Sequence, residues 1–338
     1  MIVSIRQGAS EESIEKLRSY LAERKVRTEM APGDKWNVMC VIGDTSAIDE
    51  SSVRVFDCVE DVKRISYPYK QASRIFHPEN SVIEVGDFKI GGDKIVMIGG
   101  PCSVEGEESM IRIAEGVKKS GGSLLRGGAY KPRTSPYAFQ GLQSEGIMDM
   151  VKAKEKFRMP IVSEIMSADK IDEFVENVDI IQVGARNMQN FELLKALGKI
   201  DKPVMIKRGI SATIEEWLMA AEYVLAGGNK KVILCERGIR TYEKATRNTL
   251  DLSAVAYVKR VSHLPVIVDP SHGTGRRDLI EPMALAAIAC GADGLIIEVH
   301  DNPSCAWSDG AQCVDFEQFG QIVDRCRKVA RAIGRDLY

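Results

Sequence analysis

The chain has 338 residues, 44% of them hydrophobic and 28% charged, enough to bury a large core and to form one large domain plus a small one. A formal net charge of −2 argues against a protein that lives on nucleic acid or on an anionic membrane. No apolar run is long enough to span a bilayer, and the opening Met1-Ile2-Val3-Ser4-Ile5-Arg6 lacks a signal-peptide pattern. The eight cysteines include no C-x-x-C pair, so the expectation is a cytoplasmic protein with reduced thiols.

Residues 1–67 read as a unit of their own. A strand over 2–6 is followed by a helix over 11–24, with Ile14, Leu17 and Leu21 on one face and Ser10 placed as its cap. Strands over 26–31 and 36–42 flank a Pro32-Gly33-Asp34 turn, and a weaker helix over 46–55 precedes a strand over 59–65. The order βαββαβ is that of a ferredoxin-like domain. Nothing in it resembles a catalytic constellation, which leaves a structural role or that of a small regulatory or binding module.

Residues 68–94 read as a linker followed by a β-hairpin over 81–92, whose Gly86-Asp87 turn separates two short apolar segments. From residue 95 to 338 a repeat takes over. Apolar strands start at Ile95, Ser123, Pro160, Asp179, Pro203, Lys231, Leu264 and Gly294, with helices between them, for example over 110–119, 213–225, 282–290 and 316–333. Eight such units fit a closed α/β fold, the (β/α)8 TIM barrel, behind the small ferredoxin-like domain. An open doubly wound sheet is the alternative, and the absence of a dinucleotide fingerprint speaks against it.

Barrels of this kind carry their chemistry at the C-terminal ends of the strands. Two chemical sets separate there. Cys102, His272, Glu298 and Asp309 follow strands one, seven and eight, and a closed sheet brings these ends together. A thiolate, an imidazole and two carboxylates suit a divalent transition metal. No local ligand spacing supports the ion, so Cys102 as a small buried apolar residue and His272 as a turn residue stay open. The second set is cationic: Arg126, Lys131, Arg133, Arg186, Lys207 and Arg237, from strands two, four, five and six. Six cations on one rim of a near-neutral chain imply more than one bound anion, best a phosphorylated and carboxylated small molecule.

Five segments then resemble a known family. They are Gly100-Pro101-Cys102-Ser103, residues 125–135 (LRGGAYKPRTS), residues 182–187 (QVGARN), residues 234–238 (LCERG) and Asp269-Pro270-Ser271-His272. Together, in this order, they resemble 3-deoxy-D-arabino-heptulosonate 7-phosphate (DAHP) synthase, which condenses phosphoenolpyruvate with erythrose 4-phosphate at the head of the shikimate pathway. The likeness runs from about residue 95 to the end, and residues 1–67 resemble the regulatory domain of one subgroup.

The resemblance implies Cys102, His272, Glu298 and Asp309 as ligands of one divalent ion per subunit (Mn, Fe, Co, Zn or Cu). It implies Arg126, Lys131, Arg186, Lys207 and Arg237, with the backbone N–H groups of Ala185 and Arg186, as the phosphoenolpyruvate site. Arg133, Thr134 and Ser135 correspond to the erythrose 4-phosphate site, with Arg276 directed at that sugar's phosphate. Glu164, Gln182 and Asp269 correspond to groups that position water or other side chains. Lys131, Glu164 and His272 are the candidates for activating the water. A homotetramer, and feedback control by tyrosine or phenylalanine, are further implications. The rivals are 3-deoxy-D-manno-octulosonate 8-phosphate synthase, acting on arabinose 5-phosphate, and a non-catalytic barrel that binds anionic metabolites. Lys131-Pro132-Arg133-Thr134-Ser135, where the first rival resembles Lys-Ala-Asn-Arg-Ser, favours the four-carbon sugar.

Overall fold

A computed structural model describes residues 1–31, 37–45, 48–64, 68–132, 135 and 137–338. Contacts divide these into two units, residues 1–79 with 261–263, and residues 80–260 with 264–338.

The first unit runs β1 (Ile2–Ile5), α1 (Glu11–Ala22), β2 (Arg27–Ala31), β3 (Asn37–Ile42), α2 (Glu50–Arg54) and β4 (Val59–Lys63). The strands form an antiparallel sheet in the order β2-β3-β1-β4, which is the ferredoxin-like topology. Alternation along the strands points Val3, Ile5, Met39 and Val41 into one cluster with Leu17 and Leu21 of α1. Ser10 caps α1 by accepting the Ser13 N–H at 3.3 Å. The 32–34 turn expected from sequence, and the start of the 46–55 helix, lie outside the described residues; α2 itself is shorter, starting at Glu50 behind its Asp49 cap.

The second unit opens with a hairpin, β5 (Ile83–Val85) and β6 (Phe88–Ile90). Eight parallel strands follow: β7 (Lys94–Gly100), β8 (Leu124–Arg126), β9 (Ile161–Ile165), β10 (Ile180–Val183), β11 (Val204–Lys207), β12 (Val232–Glu236), β13 (Val266–Val268) and β14 (Gly294–Glu298). Each pairs with the next, and β14 pairs back to β7 with Gly294 opposite Val96 and Glu298 opposite Gly100, so the barrel is closed. The helices are α3 (Glu107–Lys119), α4 (Ser144–Phe157), α5 (Ile171–Asn177), α6 (Phe191–Leu197), α7 (Ile214–Ala226), α8 (Leu252–Val261), α9 (Pro270–Thr274), α10 (Arg277–Ala289) and α11 (Phe316–Ala332). A last short strand, β15 (Asp336–Leu337), pairs with the start of β7.

Helix starts obey capping chemistry where the sequence offers it. Thr213 with Glu216, and Asp315 with Gln318, form capping boxes ahead of α7 and α11. α10 differs from expectation: it begins at Arg277 and carries Pro282 inside it. A proline in the second turn loses the bond its missing N–H would give and crowds the carbonyl four residues back, a local cost that this helix bears.

Val96, Ile98, Leu124, Val162, Ile180, Met205, Ile233, Ile267 and Ile296 fill the barrel, and Ile83, Val85 and Ile90 of the hairpin join the same cluster. Gly86 and Gly91 of the hairpin lie against Pro160 and Pro265, which precede β9 and β13. The hairpin therefore plugs the N-terminal mouth, leaving the opposite end for chemistry. There Gly100 has φ of 148°, and a Cβ on it would overlap the carbonyl oxygen of Arg126. Gly100→Ala is expected to cost about 1–3 kcal/mol of stability, read as a lower midpoint in chemical denaturation; an unchanged midpoint would refute the close approach.

Candidate active site

Cys102 lies just beyond the end of β7, Glu298 ends β14 and Asp309 sits in the loop after it. Because β14 lies beside β7, one donor atom from each of the three falls within 4.8 Å of the others. Cys102 Sγ is 3.4 Å from Asp309 Oδ2. His272, in the short helix α9, reaches the group through Glu298, with Nε2 at 3.3 Å from Oε1; the compact three-donor cluster does not include it.

Asp269, the cap of α9, fixes the imidazole. Its Oδ1 accepts the backbone N–H of His272 at 2.9 Å and its Oδ2 faces Nδ1 at 2.8 Å. The same Oδ2 accepts from Lys207 Nζ at 2.5 Å. An ionised carboxylate only accepts, so the Nδ1 proton belongs to this bond and Nε2 is turned toward Glu298. Burial would raise the Asp269 carboxyl, but His272 and Lys207 outweigh it and hold it well below the usual carboxylate range. Glu298 behaves alike: burial opposes ionisation, yet His272 and Arg126 bring its carboxyl down to about 2. Arg126 Nη1 donates to Glu298 Oε1 at 2.7 Å.

The thiol is the odd member. Burial pushes Cys102 up to about 11, and the Glu298 charge adds to the rise. Lys131 Nζ, 3.0 Å from Sγ and 2.8 Å from the Cys102 carbonyl oxygen, offsets only part of it. Two carboxyl groups, a thiol and an imidazole with a fixed Nδ1 proton fit a divalent transition ion, whose charge would release the thiol proton. Cys102, Glu298, Asp309 and His272 are the residues that would hold it.

A cavity of about 250 Å³ opens beside this cluster. Lys131, Glu164, Ala185, Arg186, Lys207, Arg237, His272, Cys102 and Asp309 all line it, so the acidic and cationic sets meet in one space. The cations are not equivalent. Arg126 and Lys207 are buried and paired with Glu298 and Asp269. Arg186 and Arg237 have no carboxylate within ion-pair reach among the described residues; Arg237 touches only the carbonyl oxygens of Gly238 and His272, at 3.4 and 3.5 Å. Burial lowers the Arg237 guanidinium below its ordinary value, the signature of a buried charge short of a counter-ion.

Glu164 also lines the cavity, held by Gln182 Nε2 at 3.1 Å from Oε2. Gly184 makes room for it, since a Cβ there would overlap the carboxylate. Ser135 lies outside this lining: its hydroxyl accepts the N–H of Tyr137 at 3.3 Å on the surface. Arg276 is exposed and paired with Asp278 at 2.9 Å, in a separate surface depression. Arg133 and Thr134 lie outside the described residues.

Other residues of the site carry no sequence signal of their own. Arg240, Arg247 and Asn248, from the loop between β12 and α8, line the cavity as well. Their loop is visibly cationic, yet only folding shows which charges turn inward. Buried Arg208 bonds Glu236 Oε2 and Asp251 Oδ2 at 3.0 and 2.9 Å. Glu236 Oε1 in turn accepts the N–H groups of Gly238 and Asp251, at 2.6 and 3.3 Å. That pair fixes the turn carrying Arg237.

Comparison with known proteins decides the family. The family model described as the DAHP synthetase I family matches residues 58–333, about four-fifths of the chain. The chain belongs to the DAHP synthase I family. A model of the DAHP synthase ferredoxin-like domain matches residues 1–67. A phospho-2-dehydro-3-deoxyheptonate aldolase from Thermotoga maritima is 49% identical over 334 residues, covering 99% of both chains. The crystal structure of that organism's DAHP synthase superposes with a TM-score of 0.80 at 48% identity, covering 100% of this chain and 99% of its own. A more distant 2-dehydro-3-deoxyphosphooctonate aldolase from Geobacter sulfurreducens is 29% identical over 270 residues, 73% of this chain and 97% of its own.

In this DAHP synthase family member, Asp269→Asn is expected to weaken divalent-ion affinity about 10- to 100-fold, because an amide no longer fixes the imidazole or balances Lys207. Equilibrium dialysis against Mn²⁺ reads the change, with circular dichroism to show an intact fold; unaltered affinity would overturn the orienting role.

Proposed function

We propose that this cavity performs DAHP synthesis: phosphoenolpyruvate and erythrose 4-phosphate condense with water to give 3-deoxy-D-arabino-heptulosonate 7-phosphate and inorganic phosphate. The observation that carries it is the meeting, in one cavity, of a thiol–carboxylate–imidazole cluster with two arginines that lack carboxylate partners among the described residues. Arg186 and Arg237, with Lys131 and Lys207, hold the carboxylate and phosphate of phosphoenolpyruvate, helped by the N–H groups of Ala185 and Arg186. Fixed cations keep two mutually repelling anions in contact, which lowers the barrier chiefly by positioning. A divalent ion, when bound, supplies Lewis-acid polarisation of the aldehyde carbonyl.

Carbon 3 of phosphoenolpyruvate attacks the aldehyde carbon, and positive character develops at carbon 2. Water adds there, and phosphate leaves with cleavage of the C–O bond. Glu164 lines the cavity as an acceptor for a proton of that water, while Lys131 holds a donor between the Cys102 thiol and the substrate space. His272, with Nδ1 tied to Asp269, presents Nε2 to the same centre. Arg133, Thr134, Ser135 and Arg276 are assigned to the acceptor sugar on their likeness to the family's pattern.

No helix among the described residues is long and apolar enough to cross a membrane. Action in the cytoplasm as a homotetramer belongs to the same proposal. So does control of the barrel by tyrosine or phenylalanine through residues 1–67.

Phosphate release is expected with erythrose 4-phosphate, little with arabinose 5-phosphate, and none after chelation until Mn²⁺, Fe²⁺, Co²⁺, Zn²⁺ or Cu²⁺ is restored. A reversed sugar preference, or full activity in an ion-free sample, would sink the assignment. Removing residues 1–67 is expected to leave turnover in place and abolish inhibition by the aromatic amino acid; a full-length enzyme indifferent to tyrosine, phenylalanine and tryptophan would end the regulatory part.

A further inference from the structure

The two carboxylate oxygens of Glu298 have three hydrogen-bond or ion-pair partners among the described residues. Oε1 accepts from Arg126 and faces His272. Oε2 accepts from Gln312 Nε2 at 2.6 Å. Gln312 lies in the loop after β14, is 3% exposed, and is not one of the residues the sequence singles out. Its other end, Oε1, accepts from Arg247 Nη1 at 3.0 Å. Arg247 lines the substrate cavity and sits 3.6 Å from Asp309 Oδ1.

The polarity of this bridge is forced. Glu298 can only accept and Arg247 can only donate, so a group between them must donate at one end and accept at the other. A neutral amide does both; a carboxylate would face Glu298 as a like charge, and an apolar side chain would leave buried polar atoms unpaired. The loop bearing Arg247 is pinned at the same place. The N–H groups of Arg247 and Asn248 donate to the carbonyl oxygens of Thr274 and Gly273, at 2.8 and 3.1 Å. Asn248 Nδ2 donates to the carbonyl oxygen of His272 at 2.9 Å. One loop thus grips the segment of His272 through its backbone and Glu298 through Gln312.

We propose that Gln312 is a positioning residue that couples the ion site to the substrate cavity: its amide links Glu298 to Arg247, so an anion held by Arg247 and a divalent ion held by Glu298 strengthen each other's binding. The coupling half rests on the cavity's taking a phosphorylated aldehyde. Reciprocity follows from linkage: whatever factor erythrose 4-phosphate adds to ion affinity, the ion adds to its own.

The test titrates the full-length apo-protein with Co²⁺, following the thiolate-to-cobalt absorption band rather than turnover, with and without saturating erythrose 4-phosphate. Gln312→Met, close in length but unable to bridge, is expected to weaken Co²⁺ binding about 10- to 100-fold without sugar. It is also expected to erase the tightening that the sugar gives the unmodified chain. Arg247→Met should erase the same tightening with a smaller effect on Co²⁺ alone, the double variant should lose no more coupling than either single one, and Arg247→Lys should restore part of it. Gln312→Leu repeats the measurement in a different shape, so that misfolding of one variant leaves the other. Unaltered Co²⁺ affinity and coupling in a folded Gln312 variant would overturn the proposal. If the unmodified enzyme neither binds nor turns over erythrose 4-phosphate, the substrate assignment fails instead, and the sugar-free Co²⁺ titration still decides whether Gln312 positions Glu298.

Discussion

The pairing of β14 with β7 is the contact on which the site depends. Parallel strands cannot close by a tight turn, so about 200 residues of strands, loops and crossover helices pass before the eighth strand returns to the first. The register of that return sets Glu298 directly opposite Gly100. Cys102 stands two residues beyond that glycine, and Asp309 eleven beyond that glutamate. A one-place slip would turn every side chain of β14 to the other face and dissolve the cluster. Continuous burial on both faces of the strand specifies the register: all five residues of β14 are buried.

Around this closure the charges form a chain of shared partners. Asp269 serves both His272 and Lys207, Glu298 serves Arg126 and Gln312, and Gln312 hands on to Arg247. Buried ion pairs of this kind add little net stability, since desolvation offsets most of the Coulomb gain. Their effect is on geometry. Each acid is held ionised by its cations, and each cation on the inner wall is held in place by its acid. Arg186 and Arg237 stand apart on the same cationic wall, with no such partner among the described residues.

Much of this was legible beforehand. All eight barrel strands start within two residues of where their apolar runs predict, because parallel strands buried on both faces read as unbroken aliphatic stretches, as in Val232–Glu236. The cap of α1 was legible too, where Ser10 announces the start. α10 was not, since Pro282 reads as a first residue and is an interior one. Of the residues that line the cavity, Cys102, Lys131, Ala185, Arg186, Arg237 and His272 lie inside the motifs visible in the sequence. Arg240, Arg247 and Gln312 were missed because a loop cation or a lone glutamine looks alike whether it faces solvent or a cavity.

The succession of strands and helices, the two sets of chemistry at the strand ends and the family can all be read along the chain. These are local or ordered along the chain, and short-range periodicity and motif spacing carry them. The folded barrel shows that Cys102, Glu298 and Asp309 share one 4.8 Å neighbourhood while His272 joins through Glu298. It alone divided the cations, among the described residues, into those with and without a carboxylate partner, and drew Gln312 between an acid and an arginine. Those facts depend on the register of residues some 200 positions apart, which packing of the whole barrel fixes and no local pattern encodes.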